Sequence, residues 1–528
     1  MDRSEIFREL KRLASYFSFG RIIGYISFFE SYRFKDKESI ELIGYDNKEP
    51  IMSSEKDLLC GLWLSQIDLK KESWTIDKDD EILDRVYDLM SELHKTYNSE
   101  DFTTFYKGLA FYEGDEGYDW QFIKFAKQKF NSACIKKELL SNNNFNIDYI
   151  NSTYNKLKSI IEKQIKERRS KKAKCRDYLS PLNMFVIREN KIKKNFQSEE
   201  LAIIQSMTIS LGNKEHTNDI NDIGDYNVFR QFPIINLKGR GLFIPNFLTL
   251  SMSLNESPYY WLNKKDKEIN MERGKNAENI ISKIIEKKFS VSDIIRDKVI
   301  KKNKTGNEHI TDIDILLKLK DTNIIFQIKS KKLNLSSRQG DYDSVNKDFK
   351  QGVDKAYEQG IKCVQCLKDY TNYISLRDIN KRFLCNEKYI IVCITVEIFP
   401  TITSYSIQYS KPDFPMVAMT AYDLDSIFDV LSPNEIYNYF NFRVNCLSRG
   451  IFGINEMYYL GAFVISELGF QIRIYDNGMI DQMYAKIADS VMNAKYFRYA
   501  RIDCIEDIGM WIYKNKAFYD RLLALSNG

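Results

Sequence analysis

The segment Thr311 to Lys332, TDIDILLKLKDTNIIFQIKSKK, constrains the fold more than any other. Side chains on a strand alternate between faces, so Ile313, Ile315, Leu317 and Leu319 line one side of a first arm. Ile324, Phe326 and Ile328 line one side of a second. Both rows must face one core, and in an antiparallel pair facing residues share a side, which restricts the register to alternate positions. Pairing Leu319 with Ile324 places Asp314 opposite Lys329 and Leu316 opposite Gln327. A slip by two residues keeps the side and displaces the pair by one step. Either way an acid, an amide and a lysine leave the sheet on one side at its open end.

At 528 residues the chain exceeds what one hydrophobic core supports, and two to four domains are expected. With 44% hydrophobic and 29% charged residues it reads as globular. No apolar run approaches the roughly 18 residues of a membrane span, and the opening MDRSEIFRELKRLASYF carries charges throughout, unlike a secretory leader. A cytoplasmic protein is expected.

Nine cysteines (Cys60, Cys134, Cys175, Cys363, Cys366, Cys385, Cys393, Cys446, Cys504) lack paired metal spacing, and their odd number argues against a disulfide framework. Cys363-x-x-Cys366 stands alone on an expected helix and reads as helix packing. Only His94, His216 and His309 are present, which weighs against histidine-metal nucleases, histidine-ligated zinc hydrolases and Ser-His-Asp chemistry. The net charge of +5 is mild, so charge clusters matter more than the total. The densest, KERRSKKAKCR from Lys166 to Arg176, follows a helix striped by Leu157, Ile160, Ile161 and Ile165. It reads as a solvated helix end leading into a linker, with a phosphate-backbone contact as the alternative.

Four segments emerge. Residues 1–178 are expected to be a helical domain, with stripes such as Ile82, Leu83, Val86, Leu89 and Met90, and an aromatic helix through Trp120, Phe122, Phe125 and Phe130 reading as core. Residues 179–265 form a small connecting region, where FPIINLKGRGLFIPNFLTL signals a β-hairpin. Its GRG is not a phosphate loop, because no G-x-x-x-x-G-K-[ST] occurs anywhere. Residues 266–405 run helix, strand, strand, strand, helix, strand, and residues 406–528 form an α-rich C-terminal extension with helices at Leu424 to Val430 and Ile436 to Phe442. The fold class is multidomain α+β, with a mixed central sheet covered by helices.

Upstream of the hairpin, Glu278 falls on a helical wheel beside Ile281, Ile285 and Phe289, at the edge of the apolar stripe. An acid there is costly without a partner. The carboxylate and amide oxygens of the hairpin are hard donors suited to Mg²⁺, and a lysine beside them can orient water or stabilise charge.

At this point the chain resembles the PD-(D/E)xK restriction-endonuclease-like nucleases in their Q-x-K variant. The likeness rests on Glu278 in the first core helix, Asp314 of DIDILL, and Gln327-Ile328-Lys329 of FQIKSKK, with Gln351, Tyr357 and Gln359 on the following helix. It covers residues 270–400 and implies an αβββαβ core. The resemblance implies that Asp314, Gln327 and the main-chain carbonyl of Ile328 bind Mg²⁺ or Mn²⁺. It implies that Glu278 ligates the metal directly or through water, and that Lys329 positions or deprotonates the attacking water. The implied reaction is in-line hydrolysis of a phosphodiester of DNA, in preference to RNA, leaving a 5′-phosphate. Where the commoner pattern has Asp or Glu this chain has Gln327, which removes one negative charge.

Asp312 shares a strand face with Asp314 and is the alternative ligand; Asp314 is preferred because it adjoins the buried run. Lys331, Lys332 and Arg338 are candidate phosphate contacts, with a solvated loop as the alternative. Glu308 and Glu397 read as surface or strand-end acids. A nuclease core between large flanks is similar to the arrangement of bacterial antiphage effectors, and the resemblance implies either a homodimer, since cutting both strands of a duplex usually needs two sites, or a partner protein of a defence system. The competing expectation is a catalytically inactive nucleic-acid-binding or assembly scaffold that keeps the nuclease fold.

Overall fold

A computed structural model describes residues 1–33, 48–97, 102–112, 117–170, 181–263, 265–302, 308–377, 379–384, 388–405, 407, 411, 413–497 and 516–527. The fold is α+β, with N-terminal helices and two mixed sheets. Contacts group the described residues into two units. One holds residues 1–112, 117–276 and 338–342, and the other holds 277–337 and 343–528. The expected segments 1–178 and 179–265 lie together in the first unit.

In that unit the helices Arg3–Ala14, Phe19–Arg33, Ser53–Gln66, Asp79–Lys95 and Ile150–Ser170 bury apolar stripes against one another. The first starts where its sequence dictates, because Asp2 accepts from the Glu5 N–H while Glu5 returns the bond. On Ile150–Ser170 the residues Leu157, Ile161 and Ile165 are buried, whereas residues 171–176 of the basic cluster lie outside the described residues. Strands β1 (Val186–Ile187), β2 (Thr208–Ser210), β3 (Ile234–Asn236) and β4 (Leu242–Phe243) form a small sheet in the order β1-β4-β3-β2. The hairpin pairs Ile235 with Phe243. Its GRG stretch turns the chain: Gly239 and Gly241 take φ of 84° and 122°, and a Cβ at Gly241 would sit 2.4 Å from the Ile187 carbonyl.

The second unit is built on a five-stranded sheet of β5 (Ile294–Lys301), β6 (His309–Leu319), β7 (Thr322–Lys329), β8 (Lys388–Thr395) and β9 (Met416–Thr420), in that order. Strands β5, β6 and β7 are antiparallel, and β7, β8 and β9 run parallel. A parallel step needs a crossover, and the helix Lys355–Lys368 supplies it between β7 and β8. Gly360 on this helix lets it sit close to the sheet, since a Cβ there would fall 2.5 Å from the Ile391 side chain. On the other face, Phe326 packs edge-on against Phe440 of the helix Pro433–Ser448. Covered on both faces, β7 is buried along its length except at Lys329.

Two expectations need correction here. The fifth strand, β9, comes from residues 416–420, inside the stretch expected to be an α-rich extension. The hairpin register also differs: Leu319 pairs with Thr322 across the two residues Lys320 and Asp321, where pairing with Ile324 was expected. Lys320 adopts φ of 49°, which lets a two-residue turn close and Thr322 join the strand. The slip is by two, so the faces are kept. Carried past its last pair, Ile315 with Phe326, this register sets Asp314 level with Gln327 and moves Lys329 one step along, level with Asp312.

Candidate active site

The β6–β7 ladder stops at Ile315 and Phe326, and beyond it the strands part. The backbone groups freed by this parting are taken by side chains. The Ile328 N–H donates to Asp314 Oδ2 at 2.7 Å, in place of a ladder carbonyl. The Asp312 carbonyl accepts from Gln327 Nε2 at 2.9 Å and from the Cys363 thiol at 3.2 Å. In an extended strand the N–H and C=O of one residue point to the same edge. The Ile328 carbonyl therefore leaves β7 on the side where Asp314 lies. Parity puts Asp312, Asp314, Gln327 and Lys329 on one face, the face that carries the helix Lys355–Lys368. From that helix Gln359 Oε1 accepts from Lys329 Nζ at 2.5 Å.

Glu278 enters from the helix Lys267–Glu286 and lies within electrostatic reach of Asp314, Asp297 and Lys329. Burial raises its carboxyl from an ordinary 4.5 to about 7, helped by the Asp314 and Asp297 carboxylates and opposed by Lys329. Asp314 is likewise pushed up, to about 6. Burial dominates, the Ile328 N–H and Lys329 pull it down, and Asp312 and Asp297 push it up. Both expected ligands are thus shifted towards their neutral forms, Glu278 further than Asp314, a shift that a nearby cation would reverse.

For Glu278 the sign has a consequence for stability. Between pH 4.5 and about 7 the unfolded chain releases a proton that the folded chain keeps, so stability falls across that window and stays lower above it. Glu278→Gln should match the parent near pH 4.5. It should exceed it at pH 8 by on the order of 1–2 kcal/mol, allowing for solvent screening. Chemical denaturation at both pH values checks this, and an equal gain at the two would exclude the carboxyl as its cause.

Asp297 was missed by sequence reasoning. On β5 it lies between the pairs Arg296–Ile315 and Lys298–Ile313, hence opposite Asp314, with a left-handed φ of 47° that few residues other than glycine, asparagine and aspartate tolerate. Its side chain hydrogen-bonds Glu278. The one signal for it is an acid flanked by Arg296 and Lys298 between the apolar pairs Ile294-Ile295 and Val299-Ile300. His309 was also missed; its Nε2 lies 2.9 Å from Asp312 Oδ1. Asp312 thus turns to His309 while Asp314 turns to Ile328.

The remaining candidates divide. Gln359 reaches the site, whereas the Tyr357 hydroxyl donates to the Phe414 carbonyl at 2.6 Å and Gln351 is exposed. Lys331 pairs with the buried Asp348 at 2.7 Å, Lys332 is itself buried, and Arg338 lies 3.8 Å from Glu256 in the first unit. Glu397, expected at the surface or a strand end, is buried just beyond β8, and Glu308 is exposed. Cys363 and Cys366 are buried on their helix, as packing would have them.

Among the described residues no three His, Cys, Asp or Glu side chains converge closely enough to hold a metal ion by themselves. A cation here would draw instead on two carboxylates, Asp314 and Glu278, and on the neutral oxygens of Gln327 and Ile328. One observation fits that donor set: Gln327 is fully buried, yet its Oε1 has no hydrogen-bond partner. An orphaned buried acceptor costs about 1–3 kcal/mol, and a hard cation is one way to satisfy it. Comparison with protein-family models, curated proteins and solved structures returned no match. No helix among the described residues is long and apolar enough to cross a membrane.

Proposed function

We propose that the chain is a divalent-metal-dependent nuclease that hydrolyses phosphodiester bonds of DNA, with its site at the parted end of β6 and β7. The observation that carries this reading is the meeting of the Asp314 carboxyl, the Lys329 ammonium and the unpartnered Gln327 oxygen on one face of the sheet. Asp314, Gln327, the Ile328 carbonyl and Glu278 would hold Mg²⁺ or Mn²⁺. When bound, the ion would polarise the phosphate and lower the pKa of a water.

The residues of the chain would do the rest. Gln359 takes one of the three Lys329 N–H donors. The other two can hold the water in line with the phosphorus or meet the charge that grows on the phosphate oxygens. The Ile328 N–H fixes Asp314 so that one carboxylate oxygen is restrained and the other is left to a ligand.

A second reading, an inactive scaffold, draws on the lack of a three-carboxylate group among the described residues. The purified full chain decides between them when incubated with single- and double-stranded DNA and RNA in Mg²⁺, in Mn²⁺ and in EDTA. Cutting of DNA that needs the cation supports the nuclease. Binding with no cleavage in any condition supports the scaffold.

A further inference from the structure

An amide side chain can present either its oxygen or its NH₂, and only the oxygen serves a cation. For Gln327 the choice is made by two neighbours. The NH₂ end faces two acceptors, the Asp312 carbonyl at 2.9 Å and Cys363 Sγ at 3.5 Å. Cys363 also donates its S–H to the same carbonyl at 3.2 Å, so the three groups close a ring of hydrogen bonds. A flipped amide would set Oε1 against the Asp312 carbonyl, acceptor against acceptor, and lose the 2.9 Å bond, while the thiol could give Oε1 a proton only by withdrawing it from that carbonyl. The ring leaves Gln327 Oε1 buried and without a partner.

We propose that Cys363 is a positioning residue, whose thiol, with the Asp312 carbonyl, locks the Gln327 amide so that its oxygen faces a hard divalent cation. This rests on the metal-site reading above, which identifies Gln327 as a ligand and says nothing of what orients it. The lock matters more here than it would with a carboxylate, because a carboxylate has oxygen at both ends and an amide does not. Outer groups that orient a ligand typically change metal affinity or activity by about 10–100-fold when removed.

The test uses the full chain and Mn²⁺ as the probe, and reads the rise in melting temperature with Mn²⁺, which requires no turnover. Cys363→Val keeps the volume and removes both polar functions, and Cys363→Ser keeps them. The Mn²⁺ concentration giving half the shift should rise about tenfold in Cys363→Val and stay within about threefold of the parent in Cys363→Ser. DNA cleavage by Cys363→Val should recover to within about threefold of the parent at saturating Mn²⁺, since the ligand is misoriented and not absent. If Cys363→Val does not fold, Cys363→Ala, which cannot clash, decides by the same midpoint. An unchanged midpoint in the folded apolar variant, beside a parent that does respond to Mn²⁺, overturns the role of Cys363 alone. A parent that shows no Mn²⁺ shift overturns the metal-site reading itself, and this inference with it.

Discussion

Lys329→Ala and Asp314→Asn should each lower Mg²⁺-dependent DNA cleavage by about 10²–10⁴-fold while leaving the protein folded. Lys329 brings a positive charge to the acids of the site, and its ammonium lowers both the Glu278 and the Asp314 carboxyls. Removing it takes away the group placed to hold water and pushes those carboxyls further towards their neutral forms, which bind cations poorly. Asp314→Asn is the cleaner choice over alanine, because an amide oxygen still accepts from the Ile328 N–H and avoids orphaning it. It deletes the charge and keeps the bond. Since burial already raises the Asp314 carboxyl to about 6, the asparagine variant should be as stable as the parent at pH 8 or slightly more so. Single-turnover cleavage at saturating Mg²⁺, with melting curves alongside, reads both effects. Cleavage within threefold of the parent in both variants would remove the site from β6 and β7.

How much of this was legible in the residues depends on which property each feature obeys. The two arms of the hairpin were legible because Ile313, Ile315, Leu317 and Leu319, and Ile324, Phe326 and Ile328, recur at every second position and mark one apolar face on each arm. The face of Asp314 and Lys329 follows from parity alone, so it survived a register two residues away from the expected one. The register itself was not legible, because it turns on whether Lys320 adopts a left-handed backbone, an unusual choice for lysine. Asp297 was hidden for the same reason, since its place opposite Asp314 needs the β5 register and its conformation needs a positive φ. Glu278 could be found because a helix has a fixed period and an acid at the margin of an apolar stripe stands out. The ring joining Gln327, Asp312 and Cys363 could not, because it links three elements through one main-chain carbonyl. Strand β9 is five residues long and follows no strong alternation, so only its neighbour β8 shows that it pairs.

The largest loss of stability is expected away from the site, at Arg443→Ala. Arg443 and Glu456 form a buried, two-pronged ion pair, with Nε to Oε1 at 2.7 Å and Nη2 to Oε2 at 3.2 Å. The Tyr439 hydroxyl also donates to Glu456, and the guanidinium lies 3.4 Å from the centre of the Tyr459 ring. A second carboxyl, Asp423, is pushed up to about 7 by burial and by Glu456, with Arg443 pulling the other way. Alanine at 443 would leave two acids buried without the cation paired to Glu456, and breaking such a pair from one side costs about 3–5 kcal/mol. The pH dependence follows from the sign of the Asp423 shift. An acid raised from 3.8 to about 7 weakens the fold as pH rises through that range, and losing Arg443 raises it further. The deficit of Arg443→Ala should therefore be larger at pH 8 than at pH 5, where a buried carboxyl can be neutralised by a proton. The double variant Arg443→Met, Glu456→Gln removes both charges, keeps an acceptor for Tyr439, and should recover most of the loss. Urea unfolding of the parent, the single variant and the double variant at both pH values tests the account. A single variant within about 1 kcal/mol of the parent at pH 8 would mean that water reaches Glu456 and that the pair is not the buried one described.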